Sequence, residues 1–595
     1  MATEVGCMVT SIIPKFRPLS PSYGKPSNTT MRICCSQSNS NFVQQHHQRR
    51  SAQYQPTIWS YDFVQSLNTN DHVVRYEDEV KKLEKEVKCV LVIKNDEDGH
   101  ALLLNKLELV DEIQRLGLGY RFKEDIKEVI DGIFNIWDDQ GFDNTTAKIS
   151  LYTSALGFRL LRHHGYQVSQ DIFKSFKDDN GDFKEYICKD VKGMLSLYEA
   201  SFLAFEGENL LEEAKAFTSM HLHNLIRENA NTSLAEEVKH ALELPLHQGM
   251  QRLEARWYIE SYSKRSDPNQ HLLQLAKLDF NMVQSKQQKE LKDMSRWWKG
   301  LGLTNKLSFS RDRLMECFFW ALGMVSEPQF SNPRKELTKV AALITTIDDV
   351  YDVYGTLDEL ELFTDAVDRW DVKAVEVLPE YMKLCFLALY NTVNQMVYET
   401  LKEQGQNSLP YLTKAWADMC KAFLVEAKWC HSKCTPTFEE YMENGWMSIS
   451  GVLLLVHAYF LVSENISTHG VDCLENHHNL LRWPSIIFRL SNDLGTSAAE
   501  IQRGETANSI SCSMRQNDQS EDCARKYLHK LMEESWKKMN MEIADGDSPF
   551  TKPFLDTAIN LARISRCTYQ YGDGHGAPDK RSKKRVLSLM IDPIQ

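Results

Sequence analysis

From about residue 60 onward, apolar residues recur at intervals of three and four with Glu, Lys and Gln between them, in stretches such as Tyr76–Val90 and Glu185–Phe205. That period belongs to amphipathic helices, and runs of strict alternation, the mark of a half-buried strand, are few. The expected fold class is all-α. Proline and glycine fall mostly between the helical stretches, at Pro245 and in Gly300-Leu301-Gly302, and Ser263–Asn269 (SKRSDPN) is a polar break containing a proline. The break divides the helical part into an N-terminal domain over 49–265 and a C-terminal domain over 266–595. No fixed-period repeat runs through either part, so a stack of tandem helical repeats is the weaker all-α arrangement.

A chain of 595 residues exceeds what one hydrophobic core usually serves, in agreement with two domains. Hydrophobic residues make up 42% and charged residues 25%, the balance of a globular protein, and no stretch reads as the roughly 20 apolar residues of a membrane span. A formal net charge of −13 argues against nucleic acid as a partner, because phosphate-backbone binders present basic patches. The 14 cysteines form no CxxC pair and have no histidine at zinc spacing, so they read as reduced thiols, with neither a disulfide nor a zinc site. Residues 1–48 differ from the rest: Lys15, Arg17, Lys25 and Arg32 stand against one acid, Glu4, among many serines and threonines. That is the composition of a transit peptide, and it lacks the apolar core of a secretory signal.

The chemistry concentrates in two helical segments. Val340, Leu343, Ile344, Ile347 and Tyr351 form an apolar face bordered by Asp348 and Asp352. Four residues apart on an α-helix, those carboxylates lie about 40° apart around the axis and about 6 Å along it, so both point inward. A paired inward set of hard oxygens suits Mg²⁺, which keeps waters and shares phosphate oxygens of a substrate. Asp349 points further round and is a lesser ligand. Three acids in five helical residues are, by themselves, as compatible with a solvated face. The second segment shifts the balance: Arg489, Asn492, Thr496 and Glu500 recur at three, four and four residues, within about 80° of one face. An amide, a hydroxyl and a carboxylate make a mixed oxygen site, with the Arg489 guanidinium one turn away for an anion. Neither segment has the loop glycine or alternating ligands of an EF-hand.

These motifs, in their order along the chain, resemble those of plant class I terpene synthases, and specifically the angiosperm monoterpene branch. Asp348-Asp349-Val350-Tyr351-Asp352 is similar to the DDxxD motif, and Asn492 to Glu500 to the second, NSE/DTE, metal motif. Arg49-Arg50, followed after eight residues by Trp59, resembles the RRx8W element of cyclising members; Arg311-Asp312-Arg313 resembles the RxR element. Arg115-Leu116-Gly117-Leu118-Gly119-Tyr120 and Arg296-Trp297-Trp298 are further signatures. The resemblance implies an N-terminal α-barrel-like domain without a DxDD acid motif, and a C-terminal bundle holding three Mg²⁺ (or Mn²⁺) ions on Asp348, Asp352, Asn492, Thr496 and Glu500. It implies that Arg311, Arg313 and Arg489 hold the diphosphate, together with Asp348, Asp352 and Asn492 on the substrate side. Asn508 stands where many members carry a lysine.

The implied reaction is ionisation of geranyl diphosphate in the plastid stroma by a monomer or homodimer. Expected products are of limonene, pinene or terpineol type, with acyclic myrcene, ocimene or linalool as alternatives. Metals and arginines stabilise charge on the leaving group, and the cation left behind needs a dry, aromatic pocket. Trp320 resembles a pocket tryptophan, Ser450-Gly451 a pocket-lining helix break, and Tyr569 and His575 belong to a glycine-rich lid and are candidates for the final proton removal. Ala341, seven residues before Asp348, stands where isoprene-forming members carry phenylalanine, whereas Phe488 is shared widely. Isoprene synthase is thus the nearest competing reading, ahead of a cytosolic sesquiterpene synthase, a trans-prenyltransferase and a non-catalytic helical scaffold.

Overall fold

The computed structural model describes residues 49, 52, 54–67, 72–92, 99–139, 150–228, 234–503 and 507–595, with backbone alone at 72–75, 92, 99–101, 137–139 and 498–503. The transit-peptide reading of residues 1–48, the position of Arg50 and the side chain of Glu500 therefore lie outside the described residues. Those described are helical nearly throughout; the only β contact among them is an isolated bridge between Lys177 and Phe183. The helices that bear on the site are α1 (Gln251–Tyr262), α2 (Gln270–Leu301), α3 (Leu314–Met324), α4 (Ser331–Asp349), α5 (Leu357–Arg369), α6 (Leu409–Ser432), α7 (Phe438–Ser448), α8 (Gly451–Val462), α9 (Asn479–Arg503), α10 (Lys552–Tyr569) and α11 (Lys580–Met590).

Local sequence accounts for the helix ends. The stretch Tyr76–Val90 lies inside the helix His72–Val92, whereas Glu185–Phe205 is not one helix: a 3₁₀ turn over Glu185–Lys189 precedes Val191–Ser201. Asp190 causes the break, because its carboxylate accepts the Gly193 N–H at 2.8 Å and so starts a new helix. Gly302, at φ 72°, closes α2 in the left-handed conformation that glycine adopts without cost. Residues 263–269 are the bend between α1 and α2, where Asn269 caps α2 through the Leu272 N–H. Apolar packing continues across the bend, since Tyr258 and Ile259 before it and Leu272 and Leu275 after it share one core cluster.

Helix α8 is the centre of the bundle. It is buried on almost every side and packs against α4, α6, α9 and α10, as its uninterrupted apolar run Val452–Val456 requires. The α7–α8 stretch Phe438–Val462 is in fact long and apolar enough to cross a bilayer, contrary to the reading above; 83% of its most apolar window is buried inside the protein, so it is a core helix pair. A fully buried ion pair joins α2 to α4: Arg334 meets Glu290 at 2.7 and 2.9 Å and donates its remaining hydrogen bonds to the Val325 and Glu327 carbonyls. At the other end of the chain, α2 offers a row of amides to the last turn of α11 and to the segment that follows it. Gln284 reaches the Leu589 carbonyl at 3.0 Å, Gln288 that of Met590 at 2.8 Å and Asn281 that of Ile594 at 2.8 Å. The Leu589 and Met590 carbonyls, in the last turn, have no partner within the helix, so the amides fix the end of α11 and, with it, the loop that precedes it.

Behind the cavity, His457 on α8 has its tautomer set by its neighbours. The Trp416 indole N–H can only donate, so Nε2 accepts it at 3.2 Å; the Leu453 carbonyl can only accept, so Nδ1 carries the proton at 2.9 Å. Burial holds this imidazole down to about 4. A depressed histidine binds fewer protons folded than unfolded, so its contribution is full above the unfolded value near 6.5 and is lost as pH falls towards 4. The unfolding free energy from urea titrations should therefore drop between pH 6.5 and 4, by up to about 1.4 kcal/mol per pH unit for this group. The slope should be shallower in His457→Gln, and an identical slope would show that the titration lies elsewhere.

Candidate active site

Helix α4 builds the first wall of the site. Ala341, Ile344, Thr345 and Asp348, spaced by three, one and three residues, all line a cavity of about 210 Å³. The α-helix stops at Asp349, and Val350–Tyr354 form a π turn closed by the Gly355 N–H on the Val350 carbonyl, 2.8 Å away and five residues back. Gly355 makes the turn possible, because a Cβ there would lie 2.6 Å from Leu360 and 2.8 Å from the Val350 oxygen. The angle drawn above for a regular α-helix thus does not hold through Asp352, yet Asp352 still lines the cavity beside Asp348.

Asp349 points away from the cavity. It is fully buried and accepts the Arg311 backbone N–H at 2.6 Å and the Ser310 hydroxyl at 3.2 Å. Arg311 Nε stands 2.8 Å from its other oxygen, close enough for an ion pair without hydrogen-bond alignment, while Arg311 Nη2 donates to Asp348. Burial pushes the Asp349 carboxyl up to about 6 against the pull of Arg311. The lesser aspartate of the motif thus orients the arginine.

The facing wall is α9. Arg489, Asn492 and Thr496 line the cavity, and Phe488 adds an aromatic face. Arg489 donates to the Asn492 side-chain oxygen and pairs with buried Asp493 at 2.6 Å. Asp493 also accepts the Tyr441 hydroxyl at 3.1 and 2.9 Å and the Ser509 N–H at 2.9 Å. Arg489 is accommodated because α7 carries Gly445, whose Cβ would lie 3.0 Å from the Arg489 Cδ. Glu500 follows Thr496 one turn on along the α9 backbone. Hard oxygens from Asp348 and Asp352 on one wall and Asn492 and Thr496 on the other fit Mg²⁺ by donor type. Among the described residues no three His, Cys, Asp or Glu side chains converge on one point. The split set suits an ion that shares its shell with waters and an anion.

Away from these oxygens the lining is aromatic. Trp320 lies 4.7 Å from Phe488, 6.1 Å from Tyr569 and 6.4 Å from His575, centroid to centroid. Tyr351 and Phe423 are 5.4 Å apart across the opposite side. Between α7 and α8 the helix breaks at Ser450, held at φ 67°, and Ser448, Ile449 and Ser450 all line the cavity. The loop between α10 and α11 brings in His575, whose Nε2 is 3.0 Å from the Thr345 hydroxyl. That hydroxyl gives its proton to the Ala341 carbonyl at 2.9 Å, so it accepts from His575 Nε2 and leaves Nδ1 as a bare lone pair without a partner among the described residues. Burial, then Arg311 and Arg313, hold this imidazole down to about 3, and burial pushes the Tyr569 hydroxyl up, so His575 is neutral and Tyr569 keeps its proton.

One expected residue faces elsewhere. Arg313 is buried outside the cavity lining and donates to the Gln55 carbonyl at 2.8 Å and the Gly576 carbonyl at 2.8 Å, tying the N-terminal segment to the lid loop instead of facing an anion. Asn508, at the position of the missing lysine, caps the helix Ser509–Asn517 through the Ser511 N–H at 2.9 Å. Among the lining residues that the sequence reading did not single out are three that can carry or share a proton at the polar end, Tyr54, Asp573 and Glu426. The Glu426 carboxylate takes the Ser448 hydroxyl at 2.6 Å and is raised by burial. None of the three shares a helix with either metal-type motif, so helical spacing carried no signal for them. Arg49 is placed by α5 and its surroundings: its guanidinium makes a bidentate pair with Glu359 at 2.8 and 2.8 Å and caps the π turn through the Tyr354 carbonyl at 3.0 Å. Trp59 donates to Glu316 at 3.1 Å.

Residues 58–242 match the terpene synthase N-terminal domain and residues 299–538 the metal binding domain of the terpene synthase family. A chloroplastic tricyclene synthase of Medicago truncatula is 55% identical over 94% of this chain and 94% of its own length. The crystal structure of isoprene synthase from grey poplar (Populus x canescens), in complex with three Mg²⁺ ions and dimethylallyl-S-thiolodiphosphate, is 53% identical, covers 91% of this chain and 99% of that one, and superposes with a TM-score of 0.82. Limonene synthase with 2-fluorolinalyl diphosphate covers 92% of this chain and 100% of its own at 42% identity and a TM-score of 0.87.

The two adjacent aspartates should separate cleanly on substitution. Asp348→Ala should weaken Mn²⁺ binding, measured by titration with diphosphate present, more than about a hundredfold, beyond what indirect ligand neighbours cost, with the melting temperature preserved. Asp349→Ala leaves Arg311 with Asp348 alone and its backbone N–H without an acceptor, and should lower stability by about 1–3 kcal/mol. The reverse pattern would exchange the two roles.

Proposed function

The chain belongs to the terpene synthase family, lyases that act on prenyl diphosphates, and on that premise we propose that it is a monoterpene synthase. In this reading it converts geranyl diphosphate to a ten-carbon olefin or alcohol and diphosphate, depends on divalent metal, and works in the plastid, as the name of the Medicago relative says of that protein. The observation that carries the ten-carbon assignment is Ala341: two turns deep on the same α4 face as Asp348, it leaves space in the cavity where a large side chain would end it.

Three Mg²⁺ ions, the number bound in the poplar isoprene synthase, would be held by Asp348, Asp352, Asn492, Thr496 and Glu500 and would neutralise charge on the leaving diphosphate. The chain's own groups do the rest. Arg311 and Arg489 present guanidiniums at the two walls, each already oriented by a buried carboxylate, so little reorganisation is needed when an anion arrives. The Trp320, Phe488, Tyr569 and Phe423 faces offer negative quadrupoles to an allylic cation. The closing proton goes to the His575 Nδ1 lone pair. Its low basicity is no obstacle, because a C–H beside a carbocation is a far stronger acid than an imidazolium.

A second reading, isoprene synthase, is favoured by the 53% identity to the poplar enzyme. Kinetics distinguish the two. The protein should turn over geranyl diphosphate with kcat/KM at least about tenfold above that for dimethylallyl diphosphate, in the range one pocket contact controls, and Ala341→Phe should erode the ten-carbon activity selectively. Isoprene from dimethylallyl diphosphate as the main wild-type reaction would overturn the assignment. A protein beginning at Arg49 should remain soluble and fully active, while a reporter fused behind residues 1–48 should enter isolated chloroplasts; loss of activity in the first, or exclusion of the second, would overturn the plastid reading.

A further inference from the structure

The segment 54–60 reaches the cavity from outside the bundle and is held at several points. Arg313 grips the Gln55 carbonyl, Trp59 is bonded to Glu316, and Arg49 upstream is clamped on Glu359 and the π turn. Between these anchors Tyr54 turns into the cavity. Its ring lies over Arg311, with the guanidinium carbon 4.8 Å from the centroid, a cation–π contact that leaves the hydroxyl to face elsewhere. The groups whose charge bears on that hydroxyl are Arg311, Asp348 and Asp352, on the metal-side wall, and Asp349 behind it. Burial favours its neutral, proton-bearing form. No residue among those described accepts its hydrogen bond, although it is half-buried within the cavity lining.

A phenylalanine would satisfy the strap and the Arg311 contact equally well, so the hydroxyl needs another reason, and a donor left over amid carboxylates fits an anion that arrives with its own cations. We propose that Tyr54 is a diphosphate-binding residue, its hydroxyl donating to an oxygen of the substrate's diphosphate while its ring holds Arg311 in place. The assignment rests on the reaction proposed above. It makes the N-terminal strap part of the leaving-group site as well as a cover.

Inorganic diphosphate with Mg²⁺ is the direct probe, since it lacks the prenyl chain. Tyr54→Phe keeps the ring and removes only the donor. Calorimetric titration should show its affinity for magnesium diphosphate reduced about tenfold or more, as for a hydrogen bond to a charged group. KM for geranyl diphosphate should rise with it, and the melting temperature should stay at the wild-type value. Tyr54→Leu, which also loses the cation–π contact, should be worse again. Unchanged diphosphate affinity in Tyr54→Phe, with the fold intact, would overturn the proposal. If the wild type releases no diphosphate from geranyl diphosphate but Tyr54→Phe still binds magnesium diphosphate more weakly, the proposed reaction fails and this inference stands.

Discussion

A largely enclosed arginine between two adjacent aspartates organises the site. Arg311 has Asp349 behind it, fully buried, and Asp348 in front of it on the cavity wall, with the Tyr54 ring across its face. A guanidinium this enclosed is costly unless it is paired, and its pairing ties together three elements that are far apart in sequence: the segment after α2, the end of α4 and the N-terminal strap. The lid loop joins them, because Gly576 passes so close that a Cβ there would lie 3.2 Å from Arg311 Nη1. The charge that awaits an anion in the cavity is therefore also the charge that assembles its mouth.

The second arginine follows the same plan. Arg489 is paired with Asp493, itself saturated by Tyr441 and the Ser509 N–H. In both cases the carboxylate that holds the arginine is the one turned away from the cavity, and the neighbouring oxygens, on Asp348 or on Asn492 and Thr496, remain on the wall. Charged groups are thereby concentrated at one end of a cavity whose other end is aromatic, and a fixed polar mouth over an aromatic floor is suited to separating a diphosphate from an allylic cation.

Helix irregularity shapes that cavity as much as residue identity does. The π turn at Val350–Tyr354 and the left-handed Ser450 between α7 and α8 both occur on helices that line it. Each redirects a few groups toward the interior without interrupting the surrounding packing, at the cost of regular backbone bonds.

The sequence by itself determined the all-α class, the ends of α2, the inward placement of Asp348 and the row Arg489, Asn492 and Thr496, because these follow from residue types at helix ends and from spacing within one helix; Asp352 reaches the cavity too, but by way of the π turn. Ala341 was legible for the same reason, seven residues from Asp348 on one face. Tertiary structure alone decided that Asp349 orients Arg311, that Arg313 ties the strap to the lid, and that Tyr54, Glu426 and Asp573 belong to the cavity. It also decided that Glu185–Phe205 breaks at Asp190 and that the apolar run Phe438–Val462 is core. The physical reason is one of range. Helical periodicity specifies neighbours three and four residues apart, whereas the partner of a buried charge, such as Asp349 38 residues from Arg311, is chosen by how the helices pack.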